Sequence, residues 1–249
     1  MKRIKEIVLG ILVLAIACFL IVTFFKHSSA SANRELARRI AELSPRGGTP
    51  ETIDGLRQAI ALYEAQIERN VREGAQTGVY WKILAIRLSD RNMHNDALAA
   101  LERAIYFNSQ EPVLFYLTGV SAGFVAKSIV GFSANADKER EHFFTLSENG
   151  YLRALELDNT YTKPMYGLGV LYTFELNRPE EAIKHLETLL RLYPPDISAM
   201  FVLAKAYVMT ERFNQAIELY ERIISRTRHQ KIKAEAMNNI ETVRGMQYE

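Results

Sequence analysis

Residues 165–189 read MYGLGVLYTFELNRPEEAIKHLETL, and the apolar positions in this stretch recur at helical spacing. Met165, Leu168, Gly169 and Tyr172 share a face of one helix. After a short loop, Ala182, Leu186 and Leu189 share a face of a second. The same two-part pattern stands upstream as Trp81, Leu84, Ala85 and Leu88, then Ala97, Leu101 and Ala104. It returns downstream as Met200, Leu203, Ala204 and Tyr207, then Ala216, Tyr220 and Ile223. No such pair can bury its apolar face alone, so the pattern predicts an all-α chain in which helix pairs stack on one another.

Small residues set the period. They are Ala85, Gly119, Gly169 and Ala204 in the first helices, and Ala97, Ser147, Ala182 and Ala216 in the second. Both series advance by 34 or 35 residues except for one step of 50 in each, from Gly119 to Gly169 and from Ala97 to Ser147. The long steps overlap only between Gly119 and Ser147, which places the extra length inside the second unit, near residues 126–143. That insertion, AKSIVGFSANADKEREHF, has two readings. It is either a binding loop in which Asp137 caps a helix from Lys138, or a pair of longer helices joined by a solvated turn.

This arrangement resembles the tetratricopeptide repeat (TPR) family. The family's unit of about 34 residues is a helix–turn–helix with a large residue, Leu-Gly and Tyr in its first helix. Leu168-Gly169, Tyr172, Ala182, Leu186 and Pro194 match that unit; Trp81, Leu84, Ala97 and Ala104 match it with Ala85 and Leu88 substituted. Leu203, Ala204, Tyr207, Ala216 and Tyr220 form the last unit, and Phe115, Gly119, Ala122, Tyr151 and Ala154 the most divergent one. The resemblance implies an α-solenoid of about four TPR-like helix pairs over residues 77–230, divided as 78–111, 112–161, 162–195 and 197–230. An N-terminal helical hairpin over 33–76 and a capping helix over 231–249, with Ala236, Ile240 and Val243 on one side, complete it.

The resemblance also implies a concave groove, lined by first helices, in which peptides bind. The positions are Lys82, Ile86 and Ser89; Tyr116, Val120 and Phe124; Lys163, Tyr166, Val170 and Phe174; and Phe201, Lys205, Val208 and Met209. One subgroup of the family grips a peptide's terminal carboxylate with Lys, Asn and Arg there. In this chain Ile86, Tyr116 and Val120 replace the polar partners, leaving an aromatic groove with Lys82, Lys163 and Lys205 as its basic residues. Tyr166 and Phe201 are the foremost candidates, since Met165, Leu168, Met200 and Leu203 already supply their helices with core. The competing reading is that such aromatics pack against a neighbouring helix.

Upstream, Leu36, Ile40 and Leu43 predict a helix from Arg34 to Leu43, broken by SPRGGTP at residues 44–50. Thr49 is placed to cap the next helix, with Pro50 at its first position, and that helix carries Leu56, Ile60, Tyr63 and Ile67 before ending ahead of Gly74. Residues 7–25, IVLGILVLAIACFLIVTFF, are free of charge and reach the roughly 20 residues that span a hydrocarbon core. Lys2, Arg3 and Lys5 precede this run, which predicts a transmembrane signal-anchor over 1–26 with a cytoplasmic N-terminus. A linker over 27–32 would then lead to an extracytoplasmic body at a bacterial inner membrane. Two alternatives stay open: cleavage after Ala30-Ser31-Ala32, and a loose lipobox at Ala15-Ile16-Ala17-Cys18.

Charge narrows the partners. The chain holds 31 basic and 29 acidic residues, and four of the basic ones lie in the first 26. A near-neutral body offers no clustered basic face for nucleic acid. Cys18 is the sole cysteine, which excludes an internal disulfide and a cysteine-based metal site. No phosphate-binding loop, dinucleotide fingerprint or H-E-x-x-H motif occurs, and His27, His94, His142, His185 and His229 lie far apart. No cofactor and no enzyme activity are expected. The expectation is a membrane-anchored scaffold or adaptor for a protein or peptide partner in a cell-envelope complex; the alternative is a carrier of a small hydrophobic ligand or lipid for a transporter. Intact-mass spectrometry of the membrane-extracted protein should show the N-terminal segment retained, whereas a mature terminus at Asn33 would mean that the anchor is a cleaved signal.

Overall fold

In the computed structural model, the described residues are Arg38, 52–131 and 134–247. The anchor run 7–25, the linker, the first hairpin helix apart from Arg38, and the 44–50 break with Thr49 all lie outside them. Among the described residues no helix is long and apolar enough to cross a membrane. The chain divides into two compact units, residues 1–73 and 74–249.

Nine α-helices occupy the described residues: α1 (Ile53–Ser89), α2 (His94–Phe107), α3 (Pro112–Ser128), α4 (Ala134–Leu157), α5 (Thr162–Val170), α6 (Pro179–Leu192), α7 (Ile197–Met209), α8 (Phe213–Arg226) and α9 (Gln230–Met246). A π-helical segment, Leu171–Glu175, extends α5. The fold is an all-α solenoid in which successive pairs α3–α4, α5–α6 and α7–α8 stack, and α9 closes the series.

The start of α1 differs from the sequence expectation in two respects. Thr52 is its cap, with the hydroxyl accepting from the Gly55 amide at 3.0 Å. The helix then runs unbroken through Gly74 and Gly78 instead of stopping. A lone glycine costs a helix only about 1 kcal/mol, and here it permits close packing. A Cβ on Gly78 would meet the Asn108 side chain and lie 2.8 Å from the Phe107 Cβ.

The period-setting small residues are the helix crossings. Ala85, Gly119, Gly169 and Ala204 are buried, as are Ala97, Ser147, Ala182 and Ala216. A Cβ at Gly169 would stand 2.5 Å from Leu186, and the Ser147 hydroxyl donates to the Gly119 carbonyl at 2.7 Å. One continuous core runs from Ala126 and Phe144 to Val243 of α9, confirming Ala236, Ile240 and Val243 as the inner face of the last helix. A smaller core joins Ala85, Ala100, Leu101, Ala104 and Leu114, with Trp81 and Leu88 at its edge. Leu84 departs from the expected core and is exposed. Its counterparts Leu168 and Leu203 are buried in the main core, whereas Leu84 does not join the smaller core around Ala85 and Leu101.

The extra residues of the second unit go into longer helices: α4 has 24 residues against 14 in α2, α6 and α8. Asp137 accordingly lies in the first turn of α4, paired with Arg140 at 2.9 Å, and not at a cap. Arg140 also donates to the carbonyls of Ile129 and Gly131, at 3.3 and 3.2 Å, tying down the connection. In the other three pairs a residue of positive φ turns the chain between helices: Asn92 at 60°, Asn177 at 51° and Glu211 at 59°. Asn tolerates this left-handed region; Glu does so at a cost.

Gly150 on α4 tests the crossing geometry. A Cβ there would lie 2.7 Å from the Gly119 amide nitrogen and 2.8 Å from the Phe115 carbonyl, both fixed backbone. Gly150→Ala should therefore destabilise by about 1–3 kcal/mol despite the better helix propensity of Ala. Gly245→Ala, with nothing near it, should leave the thermal midpoint level or slightly raised in the same calorimetric comparison.

Candidate functional site

The first helices place the candidate groove residues at or near the surface. Lys82, Tyr116, Val120, Tyr166, Val170 and Phe201 are half-buried; Ile86, Phe124, Lys163, Phe174 and Lys205 are exposed. Several already have partners in the fold. Lys82 Nζ pairs with Glu111 at 2.6 Å, and the Ser89 hydroxyl meets that of Ser121 at 3.2 Å. Phe201 packs against Tyr220, ring centroids 5.9 Å apart, and both Tyr166 and Phe201 lean on the main core. Lys163 Nζ lies 5.9 Å over the Tyr116 ring, and Tyr116 in turn meets Tyr161 edge-on at 5.5 Å. Burial, helped by the charges of Tyr116 and Asp158, pushes the Tyr161 hydroxyl up to about 12.

Three candidates come together. Val120 and Phe124 of α3 and Val170 of α5 line an open cleft of about 150 Å³, with Leu171 and Glu175 of the π segment on one wall and Phe144, Ser147 and Tyr151 of α4 as its floor. Gly123 and Gly167 contribute walls without side chains. Phe124, 51% exposed, stands on the rim, and Lys127 and Glu175 pair across it at 3.4 Å. Phe174 follows on the same segment, 54% exposed. Ile86, Lys163, Tyr166, Phe174, Phe201 and Lys205 do not line the cleft.

Two devices build this place. Tyr151 fills the gap between α3 and α5: a Cβ on Gly119 or on Gly167 would come within 2.6 Å of its ring. The π turn, closed by Leu176 N donating to Leu171 O at 3.0 Å, inserts a residue into the helix that carries Phe174 and Glu175. Such turns often accompany functional sites. It is held by Tyr172, whose hydroxyl donates to Glu148 at 2.8 Å, and by Arg178, which also engages Glu148 and stacks 4.4 Å over the Tyr172 ring. Burial, reinforced by the Glu148 carboxylate, raises the Tyr172 hydroxyl well above its ordinary value.

Sequence reasoning missed Lys127, Glu175, Phe144 and the two wall glycines. Lys127 continues the helical series Val120, Phe124 and was within reach of periodicity; the π turn, which sets Glu175, has no sequence signature. Among the described residues no three His, Cys, Asp or Glu side chains gather as they would around a metal ion.

Residues 173–236 match the tetratricopeptide repeat family model. No curated relative matches the sequence at a significant level. Among solved structures, a thermophilic TPR protein of Thermus thermophilus aligns with a TM-score of 0.54 at 14% identity, covering 82% of this chain and 97% of its own. A crystal structure of MamA aligns with a TM-score of 0.51 at 15% identity, covering 77% and 98%. The fold is an all-α solenoid that matches those of TPR proteins.

Within this solenoid, two imidazoles are perturbed. His94 stacks on Phe124, centroids 4.5 Å apart and planes 5° from parallel, and neither ring nitrogen has a hydrogen-bond partner among the described residues. His185 lies beside Tyr172. Burial lowers both below the ordinary 6.5. The unfolded chain therefore takes up protons near that pH that the folded chain refuses. Stability, fully present above about pH 7, should decline as pH falls through 6.5 toward the lowered folded-state values. Urea midpoints at pH 7.5 and 5.5 should differ in that direction, and His185→Gln should narrow the difference.

Proposed function

We propose that this chain is a binding scaffold that holds an extended segment of a protein partner along its first-helix face, with one large apolar side chain of the partner in the Phe124 cleft. The observation that carries this is the cleft itself: an open apolar space between two first helices, rimmed by Phe124 and by the Lys127–Glu175 pair. Aromatic rims supply large contact area at low entropic cost, and an ion pair beside them can exchange partners with a passing peptide backbone or side chain. Cleft size favours a peptide over a free lipid. Small-molecule pockets are roughly 300–1,000 Å³, whereas an apolar cavity of about 150 Å³ takes a guest the size of benzene. The solenoid fold supports the binding reading, since its stacked helices offer a preorganised surface.

The finer reading is that residues 7–25 anchor the chain in a bacterial inner membrane with the repeats outside the cytoplasm, in a cell-envelope complex. Its support is the length and flanking charge of that run. Tethering raises the effective concentration of any partner in the same membrane. The domain divisions at 1–26, 27–32, 33–76, 77–230 and 231–249 belong to this reading.

Photo-crosslinking in intact cells separates the possibilities. A crosslinking residue at Phe124, Val170 or Phe174 should trap one common protein, and the exposed second-helix positions Lys184 and Glu218 should not. Phe124→Ala should weaken that complex about tenfold or more, the scale of a central interface residue. Equal trapping from both faces, or none from the cleft, would remove the proposal; a trapped lipid in place of a protein would establish the carrier reading.

A further inference from the structure

The part of α1 in the first unit carries large apolar side chains on its outside. Ile53, Leu56, Ile60, Tyr63, Ile67 and Val71 are 38–70% exposed, although they form one stripe along the helix. The half-buried residues of this stretch, Gly55, Ala59, Leu62, Gln66 and Arg69, lie on a different side. A contiguous stripe of this kind marks an interaction surface.

Spacing and residue type identify the occupant. The stripe advances by alternate steps of three and four from Ile53 to Ile67, the a/d seam of a coiled coil rather than the broader face of a helix packed on a globular core. Read as heptads, Ile53, Ile60 and Ile67 fall at a, and Leu56, Tyr63 and Asn70 at d. Ile at all three a positions, with Leu56 at the first d, favours two parallel strands. Flanking positions agree. In a parallel pair Ala59 faces Glu64 of the second copy and Gln66 faces Val71, so no like charges meet. The polar sides, with Asp54, Glu64, Glu68 and Glu73 against Arg57, Arg69 and Arg72, lack the basic excess expected of a helix lying on an anionic membrane. We infer that residues 53–71 pair with the same residues of a second copy of this chain as a parallel two-stranded coiled coil, making the scaffold a dimer.

Disulfide trapping in the full-length chain, in membranes and with Cys18→Ser to remove the native thiol, tests this. Ile60→Cys lies on the seam and Gln58→Cys on the opposite side of the helix. Oxidation should give at least tenfold more disulfide-linked dimer from Ile60→Cys, and adding Ile67→Glu should abolish it while helicity by circular dichroism stays unchanged. Equal yields from the two positions would overturn the inference. So would an Ile60→Cys thiol that reacts with maleimide but forms no dimer, which means an open face. A thiol resistant to both reagents would overturn it too, pointing to lipid or to residues 34–43 of the same chain as the cover.

Discussion

Two helices can approach only as closely as the side chains at their crossing allow. In this chain backbone meets backbone around α4, where Gly150 rests against the backbone of Gly119 and the Tyr151 ring is held between Gly119 and Gly167. The glycines on α3 and α5 leave room for one ring, and the ring joins both helices to α4. The consequence extends to the binding surface. Because the crossings are stripped of side chains at Gly123 and Gly167, the space beside Tyr151 stays open, and it is this space that Val120, Phe124 and Val170 border. Tight packing below and an open cleft above have the same cause.

Polar latches keep the stack in register. Tyr172 and Arg178 converge on Glu148 of the preceding pair. One pair on, Tyr207 donates to Glu187 at 2.6 Å, and Arg212 grips Glu180 with both carboxylate oxygens at 2.8 and 2.9 Å. A phenol that donates to a partly buried carboxylate makes a charge-assisted bond, stronger and more directional than apolar contact. Burial and the neighbouring Glu187 raise the Tyr207 hydroxyl as Glu148 does that of Tyr172. Non-directional burial supplies most of the stacking free energy, while these bonds specify how far each pair is rotated on the last, and so where the first-helix side chains point.

The repeat was legible because it is periodic twice over, in apolar spacing and in small residues. Gly169 against Leu186 and the inner face Ala236, Ile240 and Val243 follow directly from that pattern. Glycine was ambiguous. Gly74 and Gly78 have the composition of a helix end, yet serve as contact points within a continuous α1, a distinction decided by Phe107 and Asn108 at the far end of the next helix. The insertion was legible in length and location but not in form, since AKSIVGFSANADKEREHF mixes turn-like and helix-forming residues. Of the site, the resemblance to the repeat family pointed to Val120, Phe124 and Val170. It could not find the floor at Phe144, which depends on how α4 lies across α3.

Position along each first helix explains why the binding surface does not centre on Tyr166 and Phe201. Both sit in the first half of their helices, where the fold covers them: Tyr166 lies near Asp196, which precedes the next pair and whose charge adds to burial in raising its hydroxyl, and Phe201 packs on Tyr220 of its own pair. Phe124 and Phe174 sit near the far ends, beyond the crossings at Gly119 and Gly169. There the π turn adds a residue to one wall, and the longer α3 carries Lys127 to meet Glu175 on the other. An aromatic at a crossing is held by the fold. Two turns further along an aromatic is only partly covered, as Phe124 is by His94, and half its surface is left for a guest.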